Sequence, residues 1–264
     1  MDTVQVLALS IIQGITEFLP ISSSGHLVIL PKLVNWPEQG LLFDTALHVG
    51  TLLAVMIYFR KQVLTMILGL FDTLKFKLTD NSRLFLMLSL STLPLVIVGP
   101  FILHDVEVYA RSLMVIGVTS IVYGLLLYYA DVKMGEQNRP LTWKDAFIFG
   151  LFQVLASVPG TSRSGICMTA GRFLKLSRTE SARYSMLMSI PVILMVGAYG
   201  FIGDFNDAIN WHTAYKEMLL GIVFSFISAL LCIHLLMKWV EKIGFLPFVV
   251  YRVLLGVILI YLAV

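Results

Sequence analysis

Six stretches of the chain are nearly unbroken apolar runs, at about 41–59, 84–103, 112–130, 184–203, 217–237 and 244–264. Each is close to the length of about 20 residues that a helix needs to cross a bilayer. Two further apolar regions, 4–34 and 145–172, are interrupted at their centres by "LPISSSG" and "VPGTSRSG". Proline, glycine and serine break a helix there, and each half is too short to span. The pattern predicts an all-α integral membrane protein with six full transmembrane helices and two re-entrant helix–loop–helix hairpins, each entering and leaving on one side. Irregular backbone at membrane depth is tolerated only where protein or a watery cavity covers it.

Composition agrees with this layout. Of 264 residues, 58% are hydrophobic and 13% charged, against about a quarter charged in soluble domains. Mean hydropathy is +0.88. A single membrane domain over 1–264 is expected. The first residues lack the pattern of a secretory leader, since Asp2 precedes the first basic residue, Lys32, and no small-residue cleavage site follows. Cys167 and Cys232 lie in apolar surroundings and fit neither a metal spacing nor a disulfide framework. The net charge of +3 is scattered over short loops, which argues against nucleic acid as a partner.

Charge placement orients the spans. If 60–83, 131–144, 172–183 and 238–242 are cytoplasmic, they hold Arg60, Lys61, Lys75, Lys77, Arg83, Lys133, Arg139, Lys144, Arg172, Lys175, Arg178, Arg183, Lys238 and Lys242. The other side then has Lys32, Arg111 and Lys216, with Asp105, Glu107, Asp204 and Asp207 nearby. Short loops rich in Lys and Arg stay inside. The hairpin at 4–34 is therefore expected to enter from outside and the one at 145–172 from the cytoplasm.

Sliding the sequence by 140 residues lays "LSIIQGITEFLPISSSG" over "FGLFQVLASVPGTSRSG", with Gln13 on Gln153, Ser22 on Ser162, Ser24 on Ser164 and Gly25 on Gly165. The same offset lays 43–59 on 183–199, spans of opposite direction by the charge count. An inverted-topology repeat follows, repeat one about 1–130 and repeat two about 141–264. Sites in that architecture lie where broken helices meet.

The second half-helix of each hairpin would begin in its serine-rich loop, capped by Ser22 or Ser23 and by Thr161 or Ser162. Two helix N-termini facing the protein centre make an anion site, with phosphate the usual occupant. Ser24 and Ser164 add hydroxyls, Gly25 and Gly165 open the first turns, and Arg163 adds a planar fork suited to phosphate oxygens. Ionisable groups inside a membrane mark function by default. Arg163, His26, Glu17 and the hydroxyl of Ser23 are accordingly the candidates for chemistry, although capping alone explains any one serine. Gln13, one helical turn before Glu17, is placed to bind substrate or a metal, or to bond Gln153. Asp44 and His48 share a face near the outer end of their run, where they line the outer mouth or cap a solvated helix end. Arg252, deep in the last run, reads as a structural partner to a carbonyl or carboxylate.

"QGITEFLPISSSGHL" followed by "PGTSRSG" resembles the two motifs of the bacterial undecaprenyl-diphosphate phosphatases of the bacitracin-resistance type. The likeness extends to "FDTALHVGTLLAV" and "FLPFVVYR" and covers nearly the whole chain. Family pattern falls here on Gln13, Glu17, Pro20, Ser22, Ser23, Gly25 and His26, then on Pro159, Gly160, Ser162, Arg163, Ser164 and Gly165. Gln13 stands where many relatives have a second carboxylate. The resemblance implies hydrolysis of an isoprenoid diphosphate to the monophosphate carrier at the outer face of the bacterial cytoplasmic membrane, recycling it for peptidoglycan and conferring bacitracin resistance. It also implies a divalent cation, Mg²⁺ or Ca²⁺, for which Glu17 and Gln13 are the expected ligands. The expected partners are the isoprenoid lipid and membrane lipids, and a homodimer is compatible. His26 either attacks phosphorus or activates Ser23 or water, while Glu17 orients His26, binds metal or acts as base. The alternative from another class is a lipid-phosphate flippase or anion transporter using the same site, because broken helices in inverted repeats are also transporter architecture.

Overall fold

A computed structural model describes the chain except for residues 110, 111, 138 and 204–210, and except for the side chains of 103–109, 199–203 and 211–214. Of the expected outer-side charges, Arg111, Asp204 and Asp207 lie outside the described residues, and so do the side chains of Asp105 and Glu107. Among the described residues all regular structure is helical: α1 (Thr3–Thr16), α2 (Ser23–Val34), α3 (Leu41–Tyr58), α4 (Arg60–Leu74), α5 (Asp80–Tyr109), α6 (Leu113–Lys133), α7 (Trp143–Val154), α8 (Arg163–Phe173), α9 (Arg178–Gly203), α10 (Trp211–Ile243) and α11 (Leu246–Ala263), with one 3-10 turn at Leu155–Ser157.

Six of these helices are long and apolar enough to cross a membrane, at Leu41–Tyr58, Asp80–Ile102, Leu113–Lys133, Arg178–Ala198, Tyr215–Ile243 and Leu246–Ala263. They coincide with the six expected runs. α1 has 14 residues and is about 21 Å long, short of the hydrocarbon thickness of about 30 Å. The segment 60–83, expected as a loop, instead contains α4. A single residue, Phe59, separates α4 from α3, and its charged ends interrupt the apolar run, so length alone hides the helix.

Side chains are distributed inside out relative to a soluble protein. Leu53, Ile57, Val122, Leu125, Leu254 and Val257 are exposed, while Gln13, Gln153, Ser91, Thr169, Ser185 and Arg252 are buried. Lipid covers the first set, and hydrogen bonds satisfy most of the second. The Ser91 hydroxyl, for example, lies 2.8 Å from the Ala146 carbonyl and 2.8 Å from the Tyr184 hydroxyl, joining α5, α7 and α9.

Each short helix pair is clamped by a long helix. α1 lies against α10 and α7 against α5, while α8 packs on α6 and α9. Close approach requires glycine at both crossings. A Cβ on Gly14 would come within 2.6 Å of the Ser225 carbonyl oxygen, and one on Gly150 within 2.7 Å of the Ser91 carbonyl oxygen.

Arg252 of α11 ties the breaks together. It is 1% exposed and donates from Nε to the Ser120 carbonyl at 3.1 Å, from Nη1 to Pro20 at 3.3 Å and from Nη2 to Gly160 at 3.1 Å. Of the carbonyl or carboxylate expected as its partner, the structure has a set of carbonyls, taken from α6 and from both interrupted segments. A guanidinium has five N–H donors in one plane and reaches several such acceptors at once. Arg252→Ala leaves these carbonyls unsatisfied in a buried place and is expected to cost about 3 kcal/mol or more. The check is thermal unfolding in detergent, where an unchanged midpoint overturns the bracing role.

Candidate functional site

The two interruptions have the same local design. α1 ends at Thr16 and the chain turns through Glu17, Pro20 and Ile21 before α2 begins at Ser23. α7 ends at Val154, and the 3-10 turn and Pro159–Gly160 precede α8, which begins at Arg163. The residue before each new helix is a serine with positive φ: Ser22 at φ 72° and ψ 91°, Ser162 at φ 69° and ψ 110°. This conformation is uncommon for any residue but glycine and costs about 1–3 kcal/mol. Ser162 accepts a hydrogen bond from the Gly165 amide at 3.2 Å. Ser22 lies 3.4 Å from the Ser24 hydroxyl, as Ser162 lies 3.1 Å from the Ser164 hydroxyl. Ser164 also donates to the Leu19 carbonyl at 2.7 Å, binding the second break to the first.

A buried ion pair spans the two breaks. Arg163 donates from Nη2 to Glu17 Oε1 at 2.9 Å and from Nη1 to the Ser185 carbonyl at 3.0 Å. The other oxygen, Glu17 Oε2, accepts from Ser23 Oγ at 2.7 Å and from Gln13 Nε2 at 3.1 Å. His48 Nε2 of α3 stands 3.7 Å from that same oxygen, while its Nδ1 is 2.7 Å from the Asp44 carbonyl. That contact makes Nδ1 the protonated nitrogen and leaves Nε2 facing Glu17.

This cluster forms the polar floor of a cavity of about 540 Å³. Glu17, Ser22, Ser23, Ser24, His48, Ser157, Ser162 and Arg163 supply the polar lining. Leu95, Val96, Gly99, Pro100 and Ile102 of α5 and Val192, Ile193, Met195 and Val196 of α9 supply apolar walls. The carboxylate and guanidinium offset each other, and the first amides of α2 and α8 add partial positive charge. Hence the floor is suited to an anion and the walls to hydrocarbon.

Of the other expected site residues, Gln13, Gly25, His26, Thr161, Ser164 and Gly165 do not line the cavity. Gln13 and Thr161 stand behind it, fully buried. Gln13 does not meet Gln153, which bonds the Ser91 carbonyl at 3.3 Å instead. His26 faces away: Nδ1 lies 2.7 Å from the Ser22 carbonyl, and Nε2 lies 2.5 Å from the hydroxyl of Tyr251, on whose ring it stacks. His48 is the imidazole at the cavity. The signal for it in the sequence is a histidine inside an apolar run, but periodicity along α3 does not say which neighbour it meets.

Among the described residues, no group of three His, Cys, Asp or Glu draws close enough to hold a metal. The oxygen donors on offer are Glu17, the carboxylate at the cavity, and behind it the Oε1 of Gln13, which is buried without a partner while its Nε2 faces Glu17. That pair fits a Mg²⁺-like ion that keeps several waters and borrows phosphate oxygens, rather than one held in a protein cage.

The family model described as bacitracin resistance protein BacA matches residues 6–258. Undecaprenyl-diphosphatase 1 of Pseudoalteromonas translucida is 47% identical over 265 residues, covering 97% of both chains. The undecaprenyl-diphosphatase of Alteromonas mediterranea is 46% identical over 99% of this chain and 98% of its own, and that of Campylobacter concisus 42% identical over 99% of both.

The ion pair carries a stability prediction. Glu17→Ala or Arg163→Ala strands a buried charge and is expected to cost about 3 kcal/mol or more. The double variant should lose less than the sum of the two by about 1 kcal/mol or more. Strict additivity of the unfolding shifts in detergent would contradict the pairing.

Proposed function

The chain belongs to the bacitracin resistance protein BacA family, and from that premise we propose that it hydrolyses undecaprenyl diphosphate to undecaprenyl phosphate and inorganic phosphate. The observation that carries the proposal is the cavity itself, whose floor joins Glu17, Ser23 and Arg163 beneath apolar walls. A diphosphate on a long hydrocarbon needs both surfaces.

The diphosphate lies over the N-termini of α2 and α8, and the isoprenoid runs along the α5 and α9 walls. Arg163, with N–H groups beyond its two observed bonds, binds the terminal phosphate and offsets charge in the transition state. Ser23 Oγ attacks the terminal phosphorus as its proton passes to Glu17 Oε2. The bridging P–O bond breaks with its electrons on the departing lipid phosphate. Glu17 passes that proton to the departing lipid phosphate. Water then attacks the phosphoserine as Glu17 takes its proton, the P–O bond to Ser23 breaks, and Glu17 returns the proton to Ser23 Oγ as inorganic phosphate leaves. Glu17 and Gln13 would hold a divalent cation, which when bound neutralises phosphate charge. His26 acts at one remove, its ring holding the Ser22 carbonyl and so the positive-φ turn beside Ser23.

We read the pairs α1–α2 and α7–α8 as re-entrant hairpins of an inverted repeat. The matching conformations of Ser22 and Ser162 support this, as do the matching glycine crossings on α10 and α5. The Lys and Arg asymmetry supports a site that opens to the outer face of the cytoplasmic membrane, where it would recycle the lipid carrier for peptidoglycan and confer bacitracin resistance.

The test is phosphate release from a C55 or C15 diphosphate by the purified chain. Release is expected, lost with EDTA and lowered at least about 100-fold in Ser23→Ala, Glu17→Gln and Arg163→Ala. No release from folded wild type with Mg²⁺ or Ca²⁺ refutes the enzyme reading and turns the test to lipid-phosphate movement across liposomes. For His26, the Ala variant should lose activity and His26→Asn should recover part of it, because an amide can still donate to the Ser22 carbonyl. A nucleophilic imidazole forbids that rescue.

A further inference from the structure

α4 has a composition that the catalytic reading does not use. It has 15 residues, too few to cross a bilayer, yet Leu64, Ile67, Leu68, Phe71 and Leu74 are exposed. Only its Gly69 side is closely seated, against Asn81 and Phe85 of α5. The segment after it, Lys75-Phe76-Lys77-Leu78, leaves Phe76 96% and Leu78 88% exposed. Basic residues mark both ends: Arg60 and Lys61 open the helix and Lys75 and Lys77 follow it, all exposed. Among the described residues none of these four joins an ion pair. The nearby acid Asp72 is occupied by the Thr79 hydroxyl at 2.7 Å.

Where α3 turns into α4, the two helices enclose a groove of about 410 Å³ lined by Leu53, Ile57, Val63, Leu64, Ile67 and Arg60. Its walls are apolar, and its one charged lining residue is Arg60. Lys61 is the next residue along the chain.

We propose that this groove is a binding site for an anionic phospholipid, with an acyl chain on the leucine and isoleucine wall and the headgroup phosphate on Arg60 and Lys61. The groove opens from α3, a membrane-crossing helix, at the end where basic residues accumulate, and anionic lipid headgroups meet basic residues at the cytoplasmic leaflet. A short helix with an exposed apolar face and basic ends lies in that interface and not across the bilayer. Charge selects lipid over a second copy of the chain, since a two-fold contact here would bring two sets of four basic residues, Arg60, Lys61, Lys75 and Lys77, together with only Asp72 and Asp80 on each to receive them. The site is separate from the cavity of Glu17 and Arg163, and the inference does not depend on the phosphatase reading.

The test is native mass spectrometry of the full-length chain released from an equal mixture of phosphatidylglycerol and phosphatidylcholine. At least one retained phosphatidylglycerol per chain is expected, with an anionic preference of about fivefold for each of the two basic residues. The double variant Arg60→Gln, Lys61→Gln should lose that lipid while keeping its thermal unfolding midpoint, and Arg60→Lys should retain it. Equal retention of both lipids by wild type overturns the proposal, and does so even where the double variant fails to fold. Undiminished phosphatidylglycerol in a folded double variant overturns it too, as does a dimer seated on this face.

Discussion

A broken helix in a low-dielectric interior must find partners for its freed backbone within the protein, and this requirement organises the fold. Two breaks expose carbonyls that water cannot reach. Arg252 answers Pro20 in one break and Gly160 in the other, while Ser164 answers Leu19. α11 is therefore more than a sixth crossing, because its one buried charge holds the two interrupted segments in register. The close crossings at Gly14 and Gly150 then fix how near each short pair approaches the long helix behind it.

That bracing makes the Glu17–Arg163 pair affordable. A lone carboxylate or guanidinium in such a place carries a large desolvation cost, and each is compensated chiefly by the other. Neither belongs to the same break. Glu17 falls where the second break has Ser157, and Arg163 where the first has Ser23. The two breaks share a backbone design but have diverged in side chains, so the charged floor exists only where they meet. One break alone offers a helix N-terminus and hydroxyls; together they bring a carboxylate, a guanidinium and a serine hydroxyl around one space.

Much of this was legible in the chain. Apolar run length located all six crossings, and Pro, Gly and Ser clusters located both breaks. An arginine alone in the last run announced a buried carbonyl or carboxylate partner, and the structure supplies carbonyls. Residues whose role depends on direction were not legible. His26 follows the serines immediately, and proximity in sequence placed it with them, yet α2 carries its ring round to Tyr251 of α11. His48 was legible as a residue that could line a mouth and does line the cavity, but its approach to Glu17 comes only through tertiary packing. Similarly α4, joined to α3 with one residue between, reads as polar loop because its basic ends dilute its apolar centre. Periodicity reports which residues share a face; what the face meets is a property of the assembled helices.

The ion pair also bears on how the proposed reaction is ordered. Arg163 has one fork to offer, and in the free site part of it is given to Glu17 Oε1. A terminal phosphate has more charge than a carboxylate and presents three oxygens, so it competes well for the same donors. As the substrate settles over the helix N-termini, Arg163 can pass from the carboxylate to the phosphate without moving far. Glu17 keeps Ser23 on Oε2 throughout, and its other oxygen loses a cation as an anion arrives. Binding thus changes the partners of the base at the moment the Ser23 proton must leave. A site whose acid and cation sat apart from the start would have the same residues but no such link between binding and chemistry.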